Sequence, residues 1–134
     1  MTLTLFASTD GPDTDFTAVL SDVHPDGFVQ NLGEGLCRLR FRERFDDPQA
    51  AVADQIYELH LTLGNISHVY RTGHRIRLHV SSSDFPRYDR NLNTGEPQNS
   101  GCSGRVAHQT IYHSQRHPSA LILPVIPSPQ GAPQ

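Results

Sequence analysis

Tryptophan is absent from this sequence of 134 residues, and aromatic residues make up only 7% of it. A chain so short of aromatic faces is poorly equipped to stack against sugars. Neither charge is in clear excess: 11 Lys and Arg stand against 14 Asp and Glu, a net charge of −3, which gives no electrostatic basis for binding nucleic acid. Cysteine is scarce, and Cys37 and Cys102 lie far apart. Cys37 falls on the apolar side of a predicted strand, where a buried free thiol is expected. No apolar run is long enough to span a membrane, and no signal peptide precedes the first strand. The sequence therefore predicts a cytoplasmic protein with no membrane partner. Asn65-Ile66-Ser67 has the form of a glycosylation acceptor, which means little without a secretion signal.

Catalytic and metal motifs are missing as well. A serine nucleophile on an α/β scaffold needs the strained Gly-x-Ser-x-Gly turn. The nearest approach, Gly101-Cys102-Ser103-Gly104-Arg105, puts Arg105 where the second Gly belongs and sits in a polar loop. Ser81-Ser82-Ser83 reads as a strand end. Eight histidines invite a metal reading, but Pro118 and strand-like surroundings deny His113 and His117 a shared helical face. Asp89, Asn91 and Asn93 alternate like the start of a calcium loop, yet Gly95 comes one position late and Ser100 stands where the bidentate Glu should be. Asp10, Asp13 and Asp15 form a second acidic turn able to ligate an oxygen-loving ion. Side chain to backbone hydrogen bonding within turns explains both groups as well. No catalytic residue, metal or cofactor is predicted.

What is present is turn chemistry and alternation. Ten Gly and ten Pro accompany 36% hydrophobic residues, which suits a turn-rich all-β domain. Residues 1–8 alternate as a strand, and Asp10-Gly11-Pro12-Asp13 turns the chain into residues 16–23. That segment is apolar on both faces and reads as a central strand needing cover on both sides. His24-Pro25-Asp26-Gly27 is a hairpin turn. Residues 28–32 form a short return strand, and Gly33-Glu34-Gly35 turns the chain again into residues 36–41. Arg38, Arg40 and Arg42 alternate with Cys37, Leu39 and Phe41 and read as a solvated strand face. Residues 45–54 are a loop or single helical turn, residues 57–63 a half-buried strand, and residues 106–113 and 120–125 two last strands. Eight or nine strands without a long helix predict an antiparallel jelly-roll β-sandwich over residues 1–126. A disordered Pro-rich tail over residues 127–134 follows.

The richest stretch starts at Gly73, which turns the chain into a strand with Ile76, Leu78 and Val80 on the core side and Arg75, Arg77 and His79 on the other. The strand delivers a long polar loop, the kind of segment that carries function on a β scaffold. Its members Asp84, Phe85, Arg87, Tyr88, Asp89, Arg90, Asn91 and Asn93 are the candidate site or interface residues. Asp84 and Asp89 are expected to hold the loop through backbone amides or through Arg87 and Arg90.

Three segments are also familiar: LTLFASTDGPDTDFTAVLSDVHPDG at residues 3–27, SHVYRTGHRIRLHVSSSDFPRYDRNLNTG at 67–95 and QTIYHSQRHPSALILPVIP at 109–127. Together they resemble the C-terminal domain of the CocE/NonD hydrolases over nearly the whole chain. The resemblance implies a jelly roll of galactose-binding-domain type that accompanies an α/β-hydrolase domain carrying a Ser-Asp-His triad. The implied role is accessory: packing on that catalytic domain, in cis or in trans, and shaping its cleft for acyl ester or X-Pro amide hydrolysis. No catalytic residue carries over, because the triad lies outside the region matched. The sequence starts slightly inside the family domain, as a fragment or a separately encoded remnant would. A free-standing carbohydrate- or ligand-binding module and an inactive gene remnant are the alternatives. Uncovered apolar surface beside an unpaired strand edge would make the isolated chain self-associate.

Overall fold

The computed structural model describes residues 1–97 and 100–127. Its strands are β1 (Thr2–Thr9), β2 (Asp15–Val23), β3 (Val29–Arg38), β4 (Tyr57–Thr62), β5 (Arg75–Ser81), β6 (Gln109–Tyr112) and β7 (Ala120–Ile122). They form two antiparallel sheets, ordered β4-β1-β6 with β7 also on β1, and β3-β2-β5. The architecture is the expected all-β antiparallel sandwich. No helix among the described residues is long and apolar enough to cross a membrane. The Pro-rich tail lies outside the described residues apart from Pro127.

Alternation along β1 turns Leu3, Leu5 and Ala7 inward, where they pair across the ladder with Leu61, Leu59 and Tyr57 of β4. Phe16, Ala18 and Leu20 of β2 complete the core from the opposite sheet. β6 pairs with the second half of β1 and β7 with the first. Ser119 bridges the gap: its hydroxyl accepts the Phe6 N–H at 2.9 Å and donates to the Tyr112 carbonyl at 2.6 Å.

β2 is central, as its composition predicts, and only Val19 escapes full burial. Its second face is mixed rather than apolar, with Asp15, Thr17 and Ser21 alongside Val19 and Val23. Thr17 Oγ1 donates to the Ser81 carbonyl and Ser21 Oγ donates to Asn31 Oδ1, so neighbouring strands satisfy what they cover. The hairpin turn forms as expected, with Gly27 at φ 91° and its N–H on the His24 carbonyl.

Gly33-Glu34-Gly35 is not a turn. It lies within the continuous β3, whose register slips opposite Leu20 and Ser21, leaving Leu32 as an extra residue. The glycines answer a different need, because the backbone of the other sheet presses against them. A Cβ on Gly35 would stand 2.5 Å from the Thr62 carbonyl oxygen, and one on Gly33 would collide with that of Leu63. The expected strand over residues 36–41 stops at Arg38, and Leu39–Phe41 coil into a single 3-10 turn. The closing strands are shorter than predicted, and because the expected strands at residues 28–32 and 36–41 are one continuous β3, the described residues hold seven strands. On β5, Ile76 is 53% exposed rather than in the core. Leu78 and Val80 are half-buried and line an open apolar cleft of about 260 Å³ with Leu3, Leu5, Ile111 and Leu121.

Gly35→Ala should destabilise the chain by about 2 kcal/mol, since a packed backbone cannot yield to a new methyl group. A lower urea midpoint measures the effect. Cys37 is a free, partly buried thiol that burial, with the Asp15 charge, pushes up to about 11. In native protein near pH 8 a thiol reagent should therefore label exposed Cys102 promptly and Cys37 only after denaturation.

Candidate functional site

Two buried carboxylates stand at the entrance to β2. Asp13 is fully buried and Asp15 is 2% exposed, so each needs a hydrogen-bonded counter-charge. Antiparallel register places Arg38, the last residue of β3, opposite Asp15. Its guanidinium makes a bidentate pair, Nε to Oδ1 and Nη2 to Oδ2, both at 2.9 Å, which holds Arg38 still more firmly protonated. Two residues on, the 3-10 turn aims Arg40 at Asp13: Nε donates to Oδ2 at 2.7 Å and the backbone N–H to Oδ1 at 2.9 Å. Arg38 and Arg40 are therefore not a solvated face. Arg42 packs its guanidinium over the Tyr57 ring and donates to the Leu39 and Gln49 carbonyls.

The polar loop after β5 locks onto this pair through Asn91. Its amide nitrogen donates to Asp13 Oδ2 and Asp15 Oδ1, both at 2.7 Å, and its oxygen accepts the Asn93 N–H. Asn93 takes positive φ and donates to the Arg105 carbonyl, a conformation Asn tolerates better than most residues. Arg105 in turn pairs with Asp10. The His108 backbone N–H, outweighing partial desolvation and helped by Arg105, holds the Asp10 carboxyl below its usual range. Both acidic groups considered for calcium thus spend their polar atoms on the protein. Asn91 presents N–H, not oxygen, to the carboxylates.

The other loop residues point elsewhere. Asp89 turns back to Arg38 at 3.3 Å rather than to Arg87 or Arg90. Arg87 pairs with Glu34 of β3, and the Arg90 guanidinium lies over the exposed Phe85 ring. Asp84 contributes its backbone carbonyl, which accepts the Tyr88 N–H, and its carboxylate has no partner among the described residues. Tyr88 is half-buried. The expectation that Asp84 and Asp89 hold the loop through backbone amides or through Arg87 and Arg90 is not met: Asp89 pairs with Arg38 of β3, and Arg87 pairs with Glu34 instead. The sequence did carry one signal for the true network, acidic residues spaced by two (Asp13, Asp15) and basic residues spaced by two (Arg38, Arg40).

A second cluster, at the far end of β2, joins residues distant in sequence. Asp22, 1% exposed, accepts hydrogen bonds at 2.9 Å from His68 Nε2 and His74 Nδ1. His24 Nε2 stands 3.8 Å from the same carboxylate oxygen. Burial raises the Asp22 carboxyl, but the bonds from His74 and His68 outweigh it and leave it below its ordinary value. His117, singled out earlier, packs against Phe6 and Tyr112 instead.

Among the described residues nothing assembles a nucleophile, a base and an oxyanion hole. The fold and its charge network define a β-sandwich module. The chain belongs to the family of X-Pro dipeptidyl-peptidase C-terminal non-catalytic domains, whose family model matches residues 1–122. It is 43% identical over 127 residues to cocaine esterase of Rhodococcus sp. (strain MB1 Bresler), covering 91% of this chain and 22% of the esterase. The crystal structure of an aminopeptidase from a marine sediment archaeon, Thaumarchaeota archaeon, superposes with a TM-score of 0.82 at 35% identity, over 88% of this chain and 21% of that one. An α-amino acid ester hydrolase gives a TM-score of 0.76 at 32% identity, again over 88% and 21%. The chain thus spans about a fifth of the relatives it matches.

Asn91→Ala should cost about 1.5–3 kcal/mol, because two buried carboxylates lose one charge-assisted donor. Asp84→Ala should stay within about 0.5 kcal/mol. Chemical denaturation of both variants checks the contrast, and equal midpoints would contradict it.

Proposed function

We propose that this chain is the accessory β-sandwich of a serine hydrolase acting on acyl esters or X-Pro amides. It packs on an α/β-hydrolase catalytic domain, in cis or in trans, and helps wall the substrate cleft. The observation that carries this reading is the lopsided coverage. About nine-tenths of the chain corresponds to about a fifth of relatives named as an esterase, an aminopeptidase and an ester hydrolase. The loop after β5 supports it. Its inner side is pinned by Asn91, while Phe85, 63% exposed, and Arg87 and Arg90 face outward. A rigidly held loop with an exposed aromatic and two cations is suited to an interface, where aromatic and Arg side chains contribute most. Val69, Val125 and Ile126 add exposed apolar surface, and the isolated chain should use it to self-associate.

The purified chain should release no p-nitrophenol from an ester and no p-nitroaniline from an X-Pro anilide, because it supplies no acyl-transfer machinery. The catalytic region of the Rhodococcus esterase, deprived of the segment matching this chain, should bind it one to one, and Phe85→Asp should weaken that complex by about tenfold or more. Sedimentation velocity reads both the complex and the self-association. Steady turnover by the chain alone, or absence of any complex, would overturn the proposal.

A further inference from the structure

The buried carboxylate at the far end of β2, Asp22, lies in different chemical company from Asp13 and Asp15. We propose that Asp22, His24 and His74 form a binding site for one late first-row divalent metal ion of the zinc class. His68 serves as the hydrogen-bond partner that orients the carboxylate.

Backbone register builds the site. Val23 of β2 pairs with Arg75 of β5, so His24 and His74, the next residue on each strand's far side, are brought together where the ladder ends. Their rings lie 4.3 Å apart between centroids. The available ligand atoms of Asp22, His24 and His74 all fall within 4.8 Å of one another. Ligands roughly 2.0–2.1 Å from a tetrahedral ion stand roughly 3.3 Å apart, a spacing that small rotations of the half-exposed His24 ring supply. Two nitrogens and one carboxylate oxygen suit zinc and its neighbours rather than calcium or magnesium, which take oxygen sets.

Satisfying a buried Asp does not account for the cluster. His68 Nε2 already donates to Oδ2 of Asp22 at 2.9 Å, and His74 Nδ1 reaches Oδ2 at 2.9 Å and Oδ1 at 3.0 Å. His24 adds a third imidazole with no ring hydrogen bond among the described residues, its Nε2 only 3.8 Å from Oδ2. Binding puts the His74 ring proton on Nε2 and frees Nδ1. His68 keeps its N–H on the carboxylate, an arrangement that raises ligand affinity elsewhere. Tyr70, edge-on to His68 at 4.9 Å, has a buried hydroxyl with no partner. Burial and the Asp22 charge hold its phenol above the ordinary value and so protonated, and the unpartnered hydroxyl is the group left to meet a metal-bound water. His24 and His74 side chains are 29% and 12% exposed, leaving a path for the ion and a fourth position for that water.

The test is titration of chelator-treated chain with zinc chloride, followed by calorimetry and by NMR of the histidine ring nitrogens. One ion per chain should bind at micromolar concentration or tighter, and the His24 and His74 rings should shift at one equivalent. His24→Ala and His74→Ala should each weaken binding by about tenfold or more, with His60→Ala, at an exposed histidine, unchanged. The ring shifts are read on the unsubstituted chain, so the outcome does not depend on any variant folding. No stoichiometric binding, or shifts confined to His60, His113 or His117, would overturn the proposal.

Discussion

Burial of Asp13 and Asp15 at the mouth of β2 is the constraint on which this end of the molecule depends. An unpaired carboxylate in such a place costs several kcal/mol, so three separate segments converge to neutralise it: the end of β3 through Arg38, the following turn through Arg40, and the long loop through Asn91. That convergence explains how a loop this polar is held against the sandwich with so few apolar anchors. It also explains its chemical quietness. Every oxygen drawn into the network accepts from an Arg, an Asn or a backbone N–H, and guanidinium does not give up its proton.

β2 ends as it begins, with a buried carboxylate. At Asp22 the same difficulty is met with imidazoles rather than guanidinium. Imidazole can donate, accept or ligate according to which nitrogen holds the proton. One end of the strand is therefore closed to further chemistry, while the other retains the capacity to exchange a hydrogen-bond partner for an ion. Between the two lies a core made mostly of leucine, drawn tight where Gly33 and Gly35 let β3 lie against the backbone of the strand and loop at Thr62 and Leu63.

This division of labour suits the accessory role proposed above. The sandwich is a stiff body, and its outward-facing loop is fastened from beneath. The relatives it matches are about four times its length, and that proposed role calls for rigidity and a shaped surface more than for reactive groups.

Much of this was legible in the residues alone. Alternation of Leu3, Leu5 and Ala7, of Tyr57, Leu59 and Leu61, and the Pro-Asp-Gly turn before Phe28 are local patterns. They specify strand, facing and turn because side-chain direction in a strand repeats every two residues. What sequence could not settle was which distant groups meet. Gly33 and Gly35 read as a turn because nothing local reveals that another backbone presses on them. Arg38 and Arg40 read as solvated because their acids lie 23 and 27 residues away. Asp22, His24, His68 and His74 are unremarkable until β5 lies beside β2. Periodicity is a property of neighbours along the chain, whereas charge pairing and ligand geometry belong to neighbours in space, and only sheet register and sandwich packing decide who those are.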